Sequence, residues 1–483
     1  MILLKSCIFP DTIPQNLYKN DEQNFLFFDI ETTGLSWRTS HLYLIGCAYY
    51  ETYSISRGTQ DCTDCEYSAD TQDFTDSRGC ENGADIRDSA DSRGCENGAD
   101  ILDSADSRGE DSGEGRWVLR QWFLDRPGEE KQLLEAFSDF LGTFALSEEK
   151  TSPKNAHSPV LVHYNGSGFD LPYLRHKYEY FGLPDPFACL ESLDLFRTIR
   201  PYQRLLQLDS LRQKALETAL GLPRRDPYSG GELIDVYAEF LRSGEKTLLD
   251  HLLLHNFEDV QNLLPLYAIT LYDDLFSGKF EICSLEMKKD ENGQDILQAV
   301  LTLSGALPKE LSASFVPEAE ELPLAAAPVC ELPLTAAPVS ELPLAAVPVN
   351  GLDSGEKTAG DGAAWSLCAA GSTAVLSIPV LRGELYHFFP DYKNYFYLPD
   401  EDMAVHKSVG VFVDAAHRRR ATADTCYQRI TGRFLPQLSE CFTPVLRRAR
   451  RSKLTWFRLE DFPLDPSSDS VKTYLLQLIK MLL

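Results

Sequence analysis

Residues 24–35 read NFLFFDIETTGL and combine an apolar run with two closely spaced acids. Residues 24–30 are mostly apolar, with aromatic and β-preferring side chains, which is typical of a strand buried on both faces. On an extended strand Asp29 and Glu31 project to the same face, at the carboxyl end where ligands of open α/β sheets bind. Two carboxylates this close repel each other unless a cation joins them, and hard ions such as Mg²⁺ or Mn²⁺ take oxygen ligands. The alternative is a pair of exposed acids at the end of a strand.

Further apolar runs predict a mixed α/β domain around this strand. Continuous or alternating runs predict strands at 42–50, 116–124, 159–164 and 191–195. Apolar residues at helical spacing predict helices at 133–144, 171–181 and, within a mostly helical region at 210–272, 251–272. This order of elements predicts a mixed β-sheet flanked by helices.

A second polar constellation, YNGSGFD, occupies residues 164–170, between a predicted strand and a predicted helix. Its glycines permit a tight turn, and Asp170 lies near the amino terminus of the helix. Asp170 could serve there simply as the helix N-cap.

A third constellation, HNFED, occupies residues 255–259 inside a predicted helix. His255 and Asp259 are four residues apart and therefore share one helix face. A histidine in this position could deprotonate a water molecule beside a metal-bound carboxylate. The alternative is an ordinary His/Asp pair on a solvated helix face.

Taken in chain order, the three constellations resemble the motifs of the DEDD exonucleases of the ribonuclease H-like superfamily. Asp29-x-Glu31 resembles the first motif, the run from Asn165 to Asp170 the second, and Asp259 the third. The sequence is particularly similar to the bacterial YprB-like group, through FDIETTGL at 28–35, YNGSGFDLPYLRHK at 164–177, LDLFR at 193–197 and HNFEDV at 255–260. The resemblance covers about residues 24–275 without the stretch at 51–115.

The resemblance implies a metal-dependent 3′-5′ exonuclease that hydrolyses phosphodiester bonds at single-stranded ends of DNA or RNA. It implies His255 as the general base and two divalent ions, Mg²⁺ or Mn²⁺, held by Asp29, Glu31, Asp170 and Asp259. It also implies substrate contacts from Thr32, Thr33, Leu35, Asn165 and Phe169.

Two positions depart from that pattern or have a simpler interpretation. Members with a histidine base usually place it five residues before the last aspartate, whereas His255 stands four before Asp259, the spacing of members with a tyrosine base. Leu35 could simply cover the core at a turn. Asp194, at the end of a predicted strand, could be a further acid of the site or a cap.

The net charge of −27, from 46 Lys+Arg and 73 Asp+Glu, would by itself argue against a nucleic-acid partner. Most of it lies in two stretches: residues 51–115 hold 18 acids and 5 arginines, and residues 318–361 hold 8 acids and one lysine. The first contains a 15-residue repeat (DSRGCENGAD at 76 and 91) and the second a 10-residue repeat (ELPL at 321, 331 and 341). Their compositions predict disordered segments, with a short β-helix as the alternative for the first.

The predicted domain organisation follows from these interruptions. A ribonuclease H-like exonuclease domain is predicted at 1–50 and 116–275, interrupted by the acidic repeat insertion at 51–115. A small β unit is predicted at 276–400, with a hairpin at 279–289 and 295–304 around an Asn-Gly turn and further strands at 374–389. A Pro/Ala-rich repeat linker at 305–365 interrupts it. A basic, partly helical C-terminal region is predicted at 401–483, with helices at 400–417 and 470–483.

Residues 411–458 carry 11 Lys+Arg against 3 acids and include several aromatic residues. This interleaving favours an accessory nucleic-acid surface, where arginines contact phosphates and aromatic faces stack on bases. Equally, the aromatic residues could belong to the core and the arginines to a solvated face.

Three function hypotheses follow. The first is the metal-dependent exonuclease, the second a catalytically idle ribonuclease H-like nucleic-acid-binding module, and the third a partner-binding scaffold that uses the repeats. The sequence has no apolar run of about 18 residues and no signal-peptide pattern, and its 12 cysteines show no disulfide framework. These features predict a cytoplasmic protein with free thiols, no membrane association and no disulfide-linked partner.

Overall fold

The computed structural model describes residues 1–8, 13–14, 17, 24–52, 115–146, 159–317 and 364–483. The chain divides into two compact units, Met1–Tyr50 with Trp117–Leu483, and Glu51–Arg116. The second unit is described only at its ends, where Arg116 Nη2 lies 3.4 Å from Glu51 Oε2. The repeats of the predicted insertion at 51–115 and of the predicted linker at 305–365 lie outside the described residues.

A six-stranded mixed sheet has the strand order β1-β4-β3-β2-β5-β6. Its strands are β1 Ile2–Ile8, β2 Phe25–Thr32, β3 Leu42–Thr52, β4 Gly115–Phe123, β5 Val160–His163 and β6 Glu191–Asp194. Strand β2 pairs antiparallel with β3 and parallel with β5, and β5 pairs parallel with β6. The predicted mixed sheet is confirmed. Strand β1 was not predicted, because its run ILLKSCI shows no strict alternation of apolar and polar residues.

Strand β2 shows why helices cover both faces of this sheet. Phe25 and Phe27 belong to one hydrophobic cluster, and Leu26 and Phe28 belong to another on the opposite face. Burying each large apolar side chain contributes roughly 1.5–3 kcal/mol. The covering helices are α1 Glu130–Leu146, α2 Asp170–Tyr180, α3 Leu195–Ile199, α4 Gln213–Ala219, α5 Gly230–Ser243, α6 Lys246–Leu266 and α7 Thr270–Ser277. The helices predicted at 133–144 and 171–181 correspond to α1 and α2, and the helix predicted at 251–272 is divided between α6, a 3-10 turn at Tyr267–Ile269 and α7.

A five-stranded antiparallel sheet follows, in the order β7-β8-β11-β10-β9. Its strands are β7 Glu281–Lys289, β8 Asp295–Thr302, β9 Leu311–Phe315, β10 Trp365–Ala370 and β11 Thr373–Pro379. The predicted hairpin around the Asn-Gly turn is confirmed as β7 and β8. The predicted linker at 305–365 starts too early, because β9 lies inside it. Strand β9 is held by a partner, β10, that is distant in sequence.

Two three-stranded sheets, β12-β16-β17 and β14-β13-β15, occupy most of the C-terminal region. Their strands are β12 Leu381–Phe388, β13 Tyr395–Leu398, β14 Met403–His406, β15 Arg419–Arg420, β16 Tyr427–Gln437 and β17 Thr455–Arg458. The stretch predicted at 374–389 to supply one sheet is divided between β11 and β12, which belong to different sheets.

The C-terminal region contains two α-helices among its described residues, α8 Lys407–Gly410 and α9 Asp469–Lys480. Helix α9 confirms the prediction at 470–483. The helix predicted at 400–417 is wrong, because β14 pairs antiparallel with β13 and leaves only the four-residue α8. Pairing with a neighbouring strand overrides the local helical preference here.

Helix α9 joins the C-terminal region to the rest of the larger unit. The indole Nε1 of Trp365 on β10 donates a hydrogen bond to the Leu478 carbonyl at 3.0 Å. Both residues belong to the hydrophobic cluster that also covers one face of β2. None of the described helices is long and apolar enough to span a membrane. The described cysteine side chains that are free thiols are Cys47, Cys189, Cys283, Cys368, Cys426 and Cys441.

Candidate functional site

The carboxylate of Asp29 is held in place at the carboxyl end of β2 by a chain of amides. Asn256 Nδ2 on α6 donates a hydrogen bond to Asp29 Oδ2 at 3.0 Å. Gln121 Nε2 on β4 donates in turn to Asn256 Oδ1 at 3.0 Å and to the Leu253 carbonyl at 2.9 Å. Opposite Asp29 on β3 stands Gly46, where a methyl group would collide with the Asn256 side chain. The absence of a side chain at Gly46 therefore lets α6 approach the sheet and orient Asp29.

The loop between β5 and α2 places Asp170 at the same end of the sheet. Asn165 adopts the left-handed conformation, with φ of 60°. The amides of Asn165 and Ser167 donate to the two carboxylate oxygens of Asp194, at 2.9 and 3.3 Å. A side chain at Gly166 would lie 2.7 Å from the His163 ring and 3.0 Å from Asp170 Oδ2, so only glycine fits this approach.

Two sequence alternatives are decided by these contacts. Asp170 is the first residue of α2 and Phe169 is the N-cap, so Asp170 is not the cap of that helix. Asp194 caps α3, because its Oδ1 accepts the Phe196 amide at 3.1 Å. Asp194 therefore supports the loop of the second constellation and the start of α3.

Helix α6 brings His255 and Asp259 to the acids of β2. His255 Nε2 lies 3.2 Å from Asp259 Oδ2 and 3.5 Å from Glu31 Oε1. Glu31, His255 and Asp259 each have one possible metal-ligand atom here, and these three atoms lie within 4.8 Å of one another. His255 is buried, so the solvated His/Asp pair considered from sequence is wrong.

Burial and the charges of neighbouring acids make three carboxylates of this site unusually hard to ionise. Burial, followed by the charges of Glu31, Asp259 and Asp170, holds the pKa of Asp29 well above its usual range. Burial and the charges of Asp259 and Asp170 do the same to the pKa of Glu31. For Asp170, burial together with the Asp194 and Asp259 charges raises the pKa to about 7. Asp29, Glu31, Asp170 and Asp259 therefore act on one another as one electrostatic group.

This group fits hard divalent cations. Carboxylate oxygens are the ligands that Mg²⁺ and Mn²⁺ prefer, and a divalent charge would relieve the repulsion that raises the three pKa values. The atoms of Glu31, His255 and Asp259 that lie within 4.8 Å of one another could share one ion. Asp29 and Asp170 would complete the ligand set.

The sequence analysis missed three charged residues beside this acidic group: Asp226, which faces His255, and the cations Lys214 and Arg224. Asp226 Oδ2 lies 2.6 Å from His255 Nδ1 and 2.7 Å from Lys214 Nζ. Arg224 Nη1 lies 2.6 Å from Asp259 Oδ1. Burial alone would raise the pKa of Asp226, but the hydrogen bond from Lys214 and the charge of His255 lower it to about 2. A charged run in a loop has no periodicity, so the sequence contained no signal for these contacts.

The predicted substrate-contacting residues surround the start of α2 and the loop after β2. Thr32 Oγ1 donates to the Gly34 carbonyl at 2.8 Å, and Thr33 Oγ1 accepts the His41 amide at 2.8 Å. Phe169 packs against Tyr173, with ring centroids 5.5 Å apart. Leu35 is 86% exposed, so the alternative that it covers the core is wrong.

The basic C-terminal stretch at 411–458 contributes several of its aromatic residues to the core. Phe434, Trp456 and Phe457 are fully buried in the core. Arg433 pairs with Glu460, and Arg429 lies near two acids, Glu384 and Asp402, that lie outside the stretch. These three aromatic residues therefore cannot stack on bases.

Fold and site together define an α/β protein with a buried acidic site at the carboxyl end of its central strand. A family model described as RNase_H superfamily matches residues 26–73 and 109–271. The match supports placing this domain in the ribonuclease H-like superfamily, whose members are generally hydrolytic nucleases that process nucleic acids with divalent metals. A search of curated proteins found no match.

Proposed function

We propose that this protein is a metal-dependent 3′-5′ exonuclease of the DEDD type, similar to the YprB-like group, that acts on single-stranded ends of DNA or RNA. The observation that carries the proposal is the electrostatic coupling of four acids, from β2, α2 and α6, beside a buried histidine. Such repulsion lowers the free energy of unfolding. Acids with strongly shifted pKa values cluster at functional sites.

Asp29, Glu31, Asp170 and Asp259 would hold two Mg²⁺ or Mn²⁺ ions, which when bound supply an activated water and neutralise the leaving 3′ oxygen. Asn256 keeps Asp29 from rotating away from the site. Arg224 holds Asp259 from the opposite side, through Oδ1. The loop with Thr32, Thr33 and Leu35 and the turn with Asn165 and Phe169 would contact the terminal nucleotide.

His255 would accept the proton of the attacking water at Nε2. Its Nδ1 faces Asp226 at 2.6 Å, so Asp226 fixes the ring orientation and favours the proton on Nδ1. Nε2 is then the free acceptor, and it faces Asp259 and Glu31. Although His255 stands four and not five residues before Asp259, its ring still faces the acids Glu31 and Asp259.

The test is incubation with end-labelled single- and double-stranded DNA and RNA, with Mg²⁺ or Mn²⁺ and with EDTA. We expect metal-dependent shortening of single strands from the 3′ end. Asp29→Asn removes a ligand charge while keeping the shape of the side chain, and a loss of about 4 kcal/mol of transition-state stabilisation corresponds to about 10³-fold in rate. Full Mg²⁺-dependent activity in Asp29→Asn would contradict the proposal.

One observation favours the second candidate, a catalytically idle nucleic-acid-binding module. Asp259 Oδ1 already has a partner in Arg224 at 2.6 Å, and a proton on His255 Nε2, 3.2 Å away, would also engage Oδ2. An ion at Asp259 must compete with these contacts. Tight oligonucleotide binding without any cleavage in Mn²⁺ would favour this candidate over the exonuclease.

A further inference from the structure

A cleft of about 510 Å³ lies beside the segment that follows α3. Its lining includes Arg200 and Arg204, with the amide side chains of Gln203 and Gln207 and one acid, Asp209. Among the described residues, no acid forms a salt bridge with either arginine. With two arginines and one acid in its lining, the cleft has a local excess of positive charge.

A third cation adds to this excess. Lys309 Nζ donates to the Leu206 carbonyl at 2.9 Å, a partner that carries no charge. Residues 195–208 contain three arginines and no acid. Gln207 adopts the left-handed conformation with φ of 51°, which is uncommon for a residue with a side chain and recurs where ligands are bound.

The stretch that contains the cleft residues, 194–213, is attached at both ends to elements that carry the acidic site. At its start, Asp194 caps α3 and accepts the amides of Asn165 and Ser167. At its end, Gln213 Nε2 donates to the Asp259 carbonyl at 2.8 Å. Arg200 lies six residues after Asp194, which at the helical rise of about 1.5 Å per residue is roughly 9 Å along the chain.

We propose that this cleft binds the phosphodiester backbone of the nucleic-acid strand whose end occupies the acidic site. Arg200 and Arg204 contact phosphate oxygens as charged donors, and Gln203 and Gln207 offer neutral donors beside them. Such contacts carry no sequence information and serve to position the strand. The inference rests on the proposed nuclease function and adds the requirement for a strand longer than its terminal nucleotide.

The test compares an Arg200→Ala/Arg204→Ala variant with the wild type on two substrates. A fluorescein-labelled single-stranded DNA oligonucleotide reaches the cleft, whereas the p-nitrophenyl ester of thymidine 5′-phosphate has no backbone beyond the scissile bond. Binding of the oligonucleotide is measured by fluorescence anisotropy in Ca²⁺ over a range of salt concentrations, and hydrolysis of the ester is measured in Mn²⁺.

Two phosphate contacts to a single strand contribute about 1.4 to the slope of log affinity against log salt, so affinity at about 0.1 M salt should fall roughly 25-fold. Hydrolysis of the ester should stay within about twofold of the wild type, because the cleft is not used. A matched Arg429→Ala/Arg433→Ala variant removes the same charge from arginines that stand against acids.

Each outcome decides between the cleft and its alternatives. An unchanged salt slope of oligonucleotide affinity in the Arg200→Ala/Arg204→Ala variant overturns the inference. An equal loss of affinity in the Arg429→Ala/Arg433→Ala variant also overturns it, because the two losses would then reflect only the change in net charge. A variant that loses ester hydrolysis as well disrupts the acidic site and also overturns it. If the wild type binds the oligonucleotide through the cleft but hydrolyses neither substrate, the cleft stands and the nuclease proposal fails.

Discussion

The ribonuclease H-like domain and the C-terminal β-sheets arrange their charges in opposite ways. In the domain, like charges converge: burial and the nearby charge of Asp259 raise the pKa of Asp29, Glu31 and Asp170. In the C-terminal sheets, opposite charges alternate, and arginines on β16 stand against acids on neighbouring elements. Buried like charges lower the free energy of unfolding, whereas exposed pairs of opposite charge change it only slightly.

This difference in charge arrangement indicates which residues of the chain bind ligands. A group of buried acids that opposes folding needs a ligand to compensate it, whereas the two exposed cleft arginines are solvated and remain available to a phosphate. An arginine that is already paired with an acid needs no additional ligand. The comparison therefore predicts that changes in the domain alter activity strongly, and sometimes with a gain in stability. Changes in the C-terminal pairs should alter only stability, and only slightly.

The largest effect after the metal ligands is expected at His255. His255→Ala removes the proton acceptor that faces Glu31 and Asp259, and general bases of this kind contribute about 10²- to 10⁴-fold to rate. The loss should appear in kcat, with little change in oligonucleotide binding. Single-turnover cleavage of an end-labelled strand measures it.

His251 is the matched control for this substitution. It lies one turn earlier on α6, and its ring packs against Tyr228 rather than facing the acids. His251→Ala should therefore cleave at close to the wild-type rate. Equal losses in the two variants would assign the effect of His255→Ala to damage of α6 and not to lost proton transfer.

A smaller loss is expected at Gly46, which contacts no substrate in the proposed mechanism. Gly46→Ala places a methyl group against the Asn256 side chain, so the hydrogen bond from Asn256 to Asp29 must break or lengthen. Removing the partner that orients a metal ligand typically costs about 10- to 100-fold in activity or metal affinity. The measurement is the Mn²⁺ concentration that gives half-maximal cleavage, together with kcat.

A second glycine separates this effect from a general intolerance of alanine. Gly142 on α1 has open space around its Cβ position. Gly142→Ala should leave cleavage unchanged and stabilise the helix by up to about 1 kcal/mol. A Gly46→Ala protein with wild-type metal dependence would show that Asn256 does not control Asp29.

The third prediction concerns pH and the metal-free protein. The folded pKa of Asp170 is raised to about 7, against about 3.9 for an unfolded aspartate. Between these values the folded state binds the extra proton, so the free energy of unfolding decreases as pH rises and stays low above pH 7. In EDTA, the wild type should therefore be more stable at pH 5 than at pH 8.

Asp170→Asn removes this titration while keeping the side-chain shape. The variant should be more stable than the wild type at pH 8 by at least about 1 kcal/mol, because one pKa unit corresponds to about 1.4 kcal/mol. The difference should vanish at about pH 3, below both pKa values, where both states of the wild type carry the proton. Urea unfolding at the two pH values measures it, and parallel pH profiles would show that Asp170 is not strained by its neighbours.

The pairs of acidic-site residues that are close in sequence could be predicted from the sequence alone. The spacing of Asp29 and Glu31 on a strand, and of His255 and Asp259 on a helix, fixes a shared face whatever the rest of the chain does. The amide of Asn256, by contrast, meets Asp29 across 227 residues of sequence. Only the packing of α6 against the sheet creates that contact, and no local pattern encodes it.

The same limit applies to two predictions in the C-terminal region. The stretch at 411–458 shows an excess of positive charge when counted alone, but Glu384, Asp402 and Glu460 approach it from other segments. The helix predicted at 400–417 was wrong because Phe396 pairs with Val405 across a hairpin. Charge compensation and strand pairing both depend on partners that a sequence window does not contain.

The smallest effect is expected for Arg433 and Glu460, the pair that represents the C-terminal half of the comparison. The two side chains are 44% and 52% exposed, with 3.0 Å between Nη2 and Oε1. Water screens such pairs, so a double-mutant cycle with Arg433→Ala and Glu460→Ala should give a coupling of only about 0.2–1 kcal/mol. Cleavage should stay at the wild-type rate in all three variants. If Arg433→Ala alone weakened oligonucleotide binding and Glu460→Ala strengthened it, this arginine would contact phosphate as the cleft arginines are proposed to do, and the contrast between the two regions would fail.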